Sequence, residues 1–347
     1  MENSVAMKGG DGPKSYSKNS QIQGEGSDKA KDMLTRSILD KLTPTQKEAF
    51  YIADLGCSVG PNTFSSIKTI TEAVKLKSGQ AKARHLEFQV FFNDTVANDF
   101  NTLFNNLPSD RGYRAAGVPG SFYGRLLPKA SVDFFHSAFA LNWMSKVPDQ
   151  VLARGNKGTV TYIYSEDYVK EAYRDQFCKD LSLFLEARSE EMVEKGLMAV
   201  LLCGQPDGAD PRDTPMMHVY ECIGDALNEM VAEGLLEEAL VDSFNIPVYL
   251  PTTSEIKEAV FRNKNLTMEV VEEAHYLTRC SNLEEANVAS LHARAALEGI
   301  VSQHVGHHLT GVLFERLPVN LLQSSQARFR STRKLEILFF LIRRIAS

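Results

Sequence analysis

The sequence predicts an α/β fold in which a wound, largely parallel sheet carries a helical lid. Apolar runs alternate with amphipathic stretches of helical period along the chain. The first four runs are nearly continuous in apolar character, as strands buried on both faces must be. After residue 204 the alternation gives way to two helical stretches, 205–245 and 281–333, which read as a lid on the core. At 347 residues the chain could hold about two average domains, but no internal repeat or long low-complexity linker divides it.

Taken in order, the first strand is AFYIADLG (49–56), followed by a helix over 63–76 that puts Ile67, Ile70 and Val74, with Phe64 beside them, on one face. LEFQVFFND (86–94) and VDFFHSAFAL (132–141) are the next strands. A long helix over 168–196 should stop at Gly196, ahead of the strand LMAVLLCG (197–204). The lid opens with a helix over 216–234 that ends at Gly234. TMEVVEEAHYL (267–277) and LEILFFLIRRIA (335–346) complete the sheet, the latter far too short to span a bilayer.

A net charge of −6 and a pI near 5.8 argue against a nucleic-acid or anionic-membrane surface. The five cysteines are scattered without CxxC spacing, and the start is polar with no apolar core of a signal peptide. A cytoplasmic protein with reduced thiols is expected.

The chemistry begins at YIADLGCSVGPNTFSSI (51–67), where an apolar strand ends in Asp54-x-Gly56-x-x-x-Gly60 and turns into a helix. This is not the G-x-G-x-x-G of a dinucleotide site, because the acid precedes the first glycine. It suits a ligand with a ribose and a cationic amino-acid tail but no pyrophosphate, the shape of S-adenosylmethionine. Glycines let the backbone approach such a ligand. The next strand ends at Asp94, where a carboxylate can take both ribose hydroxyls. The structural alternative is a tight strand-to-helix turn with an N-capping acid and no ligand.

Further motifs follow in order: MKGGDGPKSYSKNSQIQ (7–23), ADLGCSVGPNTF (53–64), FFNDTVANDFNTLF (91–104), GVPGSFYGRLLP (117–128), DFFHSAFALNWMSKVP (133–148) and FNIPVYLPT (244–252). Together they resemble the plant SABATH methyltransferases, which methylate small carboxylic acids or xanthine nitrogens. The resemblance runs from about Met7 onward. It implies a Rossmann-like class I methyltransferase sheet with an α-helical cap. Residues 1–30 would close the active site over a core at 31–204, and 246–280 with 334–347 would complete that core around the two cap insertions. It further implies that Ser20, Asp54, Gly56, Asn62, Asp94, Ser121 and Phe122 contact S-adenosylmethionine, with Phe122 beside the adenine. Lys8, Gln23 and Trp143 would hold the substrate carboxylate, and Phe139, Asn142 and Tyr123 would line the acceptor pocket. A homodimer is implied as well. Thr95-Val96 stands where the family usually has Leu-Pro, and Asn142 where carboxyl-methylating relatives often carry Met or His.

These residue types fit the reaction. A carboxylate is already ionised at neutral pH, so no general base is needed. A glutamine amide and an indole N–H are donors that fix a carboxylate without taking its charge, while Lys8 should bind and orient. The expected reaction is methyl ester formation on a small acid of the cinnamate, salicylate or benzoate type. Indole-3-acetate- or jasmonate-type acids and a xanthine-type N-acceptor are the alternatives. A binder without turnover would leave the cofactor loop and acceptor clamp unexplained, and an oxidoreductase would need a Gly-rich fingerprint. His304, His307 and His308 in HVGHH have i, i+3, i+4 spacing but no acid or cysteine to complete a ligand set, so a helix face is expected there. Asn156-Lys157-Gly158 matches a loop near Mg²⁺ in some relatives, but no metal is assigned.

Overall fold

The computed structural model describes residues 6–44, 47–79, 86–210, 212, 214–278, 280–328 and 333–346. Residues 1–5 of the N-terminal segment and 329–332 of the second insertion lie outside them. The sheet has seven strands: β1 (Ala49–Leu55), β2 (Glu87–Asp94), β3 (Arg114–Pro119), β4 (Val132–Ala138), β5 (Met192–Gly204), β6 (Leu266–Thr278) and β7 (Arg333–Arg344). Their order across the sheet is β3-β2-β1-β4-β5-β7-β6. The first five run parallel, and β7 is antiparallel to both β5 and β6.

Alternation along each strand feeds two apolar layers. In β7, Leu338, Phe340 and Ile342 enter one cluster and Ile337, Phe339 and Leu341 the other. Against one face pack α2 (Gln21–Lys41) and α3 (Pro61–Gly79), which bury Ile38 and Ile67, Ile70 and Val74. The other face carries α6 (Asp167–Glu191) and the cap helices α7 (Pro215–Ala232), α10 (Leu283–Val305) and α11 (His307–Arg328). Short helices α1 (Tyr16–Asn19), α4 (Phe100–Asn105), α5 (Asp149–Arg154), α8 (Glu238–Ser243) and α9 (Thr253–Arg262) fill the connections. Among the described residues no helix is long and apolar enough to cross a membrane.

Three sequence expectations need correction. The strand β3 was not anticipated: RAAGVP is short, and none of its residues is fully buried at the sheet edge. The helix expected to stop at Gly196 ends at Glu191, and β5 starts at once with Met192. Gly196 instead closes a bulge, where pairing jumps from Val132–Met192 to Phe134–Leu197 and Lys195 takes a φ of +63°. The histidines of HVGHH do not share one helix, because Gly306 separates α10 from α11. His304 sits 2.7 Å from the Leu240 carbonyl and stacks on Phe244.

Candidate active site

The strand order reverses between β1 and β4, and a crevice opens at such a switch point beyond the carboxyl ends of parallel strands. The chain leaving β1 turns at Gly56, whose φ is +79°; a Cβ there would overlap the Ala140 methyl and approach Phe122. The N–H groups of Gly56 and Cys57 both donate to the Asn93 carbonyl at 2.9 Å. The Asn93 amide in turn donates to the Val118 and Gly120 carbonyls at 2.7 and 3.0 Å, so one residue, through its carbonyl and its side chain, staples the ends of β1, β2 and β3.

Asp94 ends β2 beside this turn. It accepts from the Ser58 and Thr95 N–H groups, each at 2.7 Å. Burial raises its pKa from 3.8 to about 6, despite those two hydrogen bonds. Around it Ser58 Oγ, Asn93 Oδ1 and Asn98 Oδ1 are buried without hydrogen-bond partners among the described residues. Such orphans each cost about 1–3 kcal/mol, and a ligand rich in hydroxyl and amino groups would satisfy them. The desolvated carboxylate, the cradle at Gly56 and the orphaned polar atoms fit the nucleoside end of S-adenosylmethionine.

Ser121 and Phe122 follow the Gly120 N–H, which donates to the Asp94 carbonyl at 2.9 Å. Phe122 packs edge-on against Tyr123 and Phe184. Its loop is held from below by a fully buried ion pair at i, i+3 on α6. Arg188 donates to the carbonyls of Phe122 (2.7 Å) and Gly124 (2.8 Å), and to Glu191. Glu191 accepts the N–H groups of Leu126 and Leu127. Nothing in the sequence marked Arg188-x-x-Glu191, because an exposed helical pair has the same spacing.

Asp54, at the carboxyl end of β1, is 3% exposed; one oxygen lies 2.7 Å from His136 Nδ1 and the other accepts from the Thr63 hydroxyl. The register sets Asp54 beside His136 on β4. These contacts fix the carboxylate beneath the turn at Gly56.

The N-terminal segment wedges between core and cap. Gly10 N–H donates to Asp99, the N-cap of α4, at 3.0 Å. Asn62 donates to the Ser20 carbonyl at 3.1 Å, and the Ser20 hydroxyl lies over Gly60. Tyr16, which the sequence reading passed over within KSYSKNS, also covers Gly60; burial and the nearby Asp94 push its phenol pKa up. On the cap side, Lys8 pairs with Glu298 at 2.6 Å and its N–H bonds the Ala295 carbonyl, while Gln23 bonds His292 at 2.9 Å. Lys8 and Gln23 are thus brought together along α10.

Three of the residues expected at the acceptor, Phe139, Asn142 and Trp143, lie on the turn after β4. Phe139 holds a φ of +59°, a strained conformation of the kind that gathers at functional sites. Its ring fits only because Gly26, one turn beyond Gln23, has no side chain: a Cβ there would sit 2.7 Å from Phe139 Cζ. This contact joins the N-terminal helix to the acceptor turn. Trp143 is partly buried, its carbonyl takes the Tyr123 hydroxyl, and its backbone bridges to Val248. The indole N–H has no hydrogen-bond partner among the described residues.

Asn142 is buried, donating to the Cys203 and Tyr249 carbonyls at 2.7 and 3.0 Å and accepting the Cys203 N–H at 3.0 Å. Its amide thus sutures β5 to the 247–249 segment.

A seven-stranded sheet of this order with this cradle is that of a class I S-adenosylmethionine-dependent methyltransferase. The family described as "SAM dependent carboxyl methyltransferase" matches residues 2–344. Loganic acid O-methyltransferase of Catharanthus roseus is 38% identical, covering 97% of this chain and 94% of that protein. Gibberellic acid methyltransferase 1 of Arabidopsis thaliana is also 38% identical, covering 92% of each. The solved structure of loganic acid methyltransferase with SAH matches with a TM-score of 0.92 at 36% identity, covering 98% of this chain and 99% of that one. The chain belongs to the SAM-dependent carboxyl methyltransferases, the SABATH family, and its cofactor is S-adenosylmethionine.

Proposed function

We propose that the protein forms the methyl ester of a small aromatic carboxylic acid of the cinnamate, salicylate or benzoate type, with Gln23, Trp143 and Lys8 positioning the carboxylate. The observation that carries this reading is a pair of spare donors. One N–H of Gln23 is used by His292, and among the described residues its other N–H and the indole N–H of Trp143 have no hydrogen-bond partner. Phe139 and Tyr123 would supply walls for a flat ring. In the same reading Asp94 accepts the ribose hydroxyls, Phe122 faces the adenine, Ser20, Gly56, Asn62 and Ser121 complete the cofactor site, and Asp54 contributes from beneath.

When bound, the cofactor supplies a methyl group on a sulfonium. The transfer forms an oxygen–methyl bond and breaks the sulfur–methyl bond, and no proton moves. The protein therefore has to align and desolvate, which is worth on the order of 7–11 kcal/mol in the best intramolecular cases. A bare ammonium against the nucleophilic oxygen would blunt its attack. Glu298 tempers this: it holds both Lys8 and Arg294, and although burial pushes its pKa up, those hydrogen bonds outweigh it and keep the carboxyl ionised.

The names of the relatives favour a second reading, in which the acceptor is an acid of the loganic or gibberellic acid kind. Relative kcat/KM across salicylate, benzoate, cinnamate, loganic acid and gibberellic acid decides between the two. The aromatic reading predicts one of the first three as the best substrate; preference for either of the last two overturns it. The protein is also taken as a homodimer of a cytoplasmic enzyme, which sedimentation would test as a doubled mass.

A further inference from the structure

Within α10 the side chain of His292 touches the N-terminal segment twice. Its Nδ1 lies 2.9 Å from the Asn19 carbonyl and its Nε2 lies 2.9 Å from Gln23 Nε2. A carbonyl carries no proton, so Nδ1 must donate. In the neutral ring, which burial favours by lowering its pKa, Nε2 is then a lone pair and Gln23 must donate to it. The opposite amide orientation would set Gln23 Oε1 against that lone pair, acceptor to acceptor. The orientation is imposed even though it leaves Oε1 buried without a partner.

We propose that His292 is a positioning residue that fixes the Gln23 amide, through the Asn19–His292–Gln23 chain, with one N–H turned to the ring and the other left for the acceptor carboxylate. The proposal rests on the reading that Gln23 holds that carboxylate. Its geometry reinforces it: Asn19 is the last residue of α1 and Gln23 lies in the first turn of α2. One ring thus sets the end of one helix and the first turn of the next. Asn62 grips the intervening Ser20 carbonyl from the core side at 3.1 Å, so the segment is pinned between α3 and α10. A freely turning Gln23 would spend part of its time presenting Oε1, an oxygen that repels a carboxylate.

The first test needs no acceptor. In the ¹⁵N-histidine-labelled full chain, His292, assigned by its loss in His292→Phe, should show the Nδ1–H tautomer. An Nε2–H or doubly protonated ring overturns the proposal. The second test is kinetic, on whichever of salicylate, benzoate, cinnamate, loganic acid and gibberellic acid is turned over best. His292→Phe should lower kcat/KM for the acid by roughly 10- to 30-fold, the effect of one misplaced hydrogen bond, with the KM for cofactor nearly unchanged. His292→Gln, whose amide can donate to Asn19 and accept from Gln23, should restore most of the loss. Equal loss in both variants, or none in His292→Phe, overturns the proposal. An Nδ1–H ring together with full activity in Gln23→Ala would instead sink the carboxylate reading, and the proposed role with it, while leaving the ring geometry standing.

Discussion

In the proposed cofactor site, Asp94 is the group whose ionisation cofactor binding should sense. Burial raises its pKa from 3.8 to about 6, so in the ligand-free protein the proton is bound more tightly than in the unfolded chain. That contribution to stability is present at low pH and lost as pH rises through about 6. Ribose hydroxyls donate to the ionised form and reverse the preference. Calorimetric affinity for S-adenosylhomocysteine should therefore be level above pH 6 and weaken below it, by up to about tenfold per unit. Asp94→Asn should bind roughly 10- to 100-fold more weakly, as loss of charge-assisted hydrogen bonds implies, and without that pH dependence. Glu298→Gln probes the acceptor side. Freed from its partner, Lys8 should draw the acid in and blunt it, so KM and kcat should both fall in steady-state assays; a rise in KM would show that Lys8 needs Glu298 to reach the acid.

The loop 120–127 owes its shape to α6. Arg188 and Glu191 are fully buried, and between them they satisfy two carbonyls and two N–H groups of that loop. Breaking such a pair strands a buried charge, at a cost of about 3–5 kcal/mol. Thermal unfolding of Arg188→Met should show a large drop in Tm, and the double variant Arg188→Met with Glu191→Leu should recover part of it. A double variant as unstable as the sum of the two singles would mean that the pair is not coupled. What the sequence could show at this scale followed double-sided burial. β1, β2, β4, β5 and β7 were legible because long apolar runs have no other use; β6, the opposite edge, was legible from its thirteen-residue length and β-branched content, whereas β3 is a six-residue edge strand without a buried position. Arg188-Glu191 and His292 were illegible for a different reason: their partners lie far away in sequence, and only the fold brings them near.

At the scale of the molecule, the N-terminal segment joins the strand ends, where the cofactor is proposed to sit, and the turn after β4, the proposed acceptor wall, to the cap. The turn at Gly56 and the strand end at Asp94 were legible as local structure, because a glycine and an acid directly after apolar runs mark where strands stop. The partners of Asp54 and Asn142 were not legible: His136, Thr63, Cys203 and Tyr249 come to them only through the fold. Closure over the site depends on Gly26, where a methyl would strike Phe139. Gly26→Ala should cost about 1–3 kcal/mol from overpacking, and kcat/KM should fall more for the acid than for the cofactor, because the added methyl meets Phe139 rather than the turn at Gly56.

The most direct measurement follows the methyl group. The purified chain is incubated with methyl-labelled S-adenosylmethionine and the five acids, with theobromine as the nitrogen acceptor, and the product is treated with mild alkali. The account predicts label in an acid, released by alkali as methanol, because a methyl ester hydrolyses. Label that resists alkali and resides on theobromine would contradict it and recast Gln23 and Trp143 as contacts to a neutral ring.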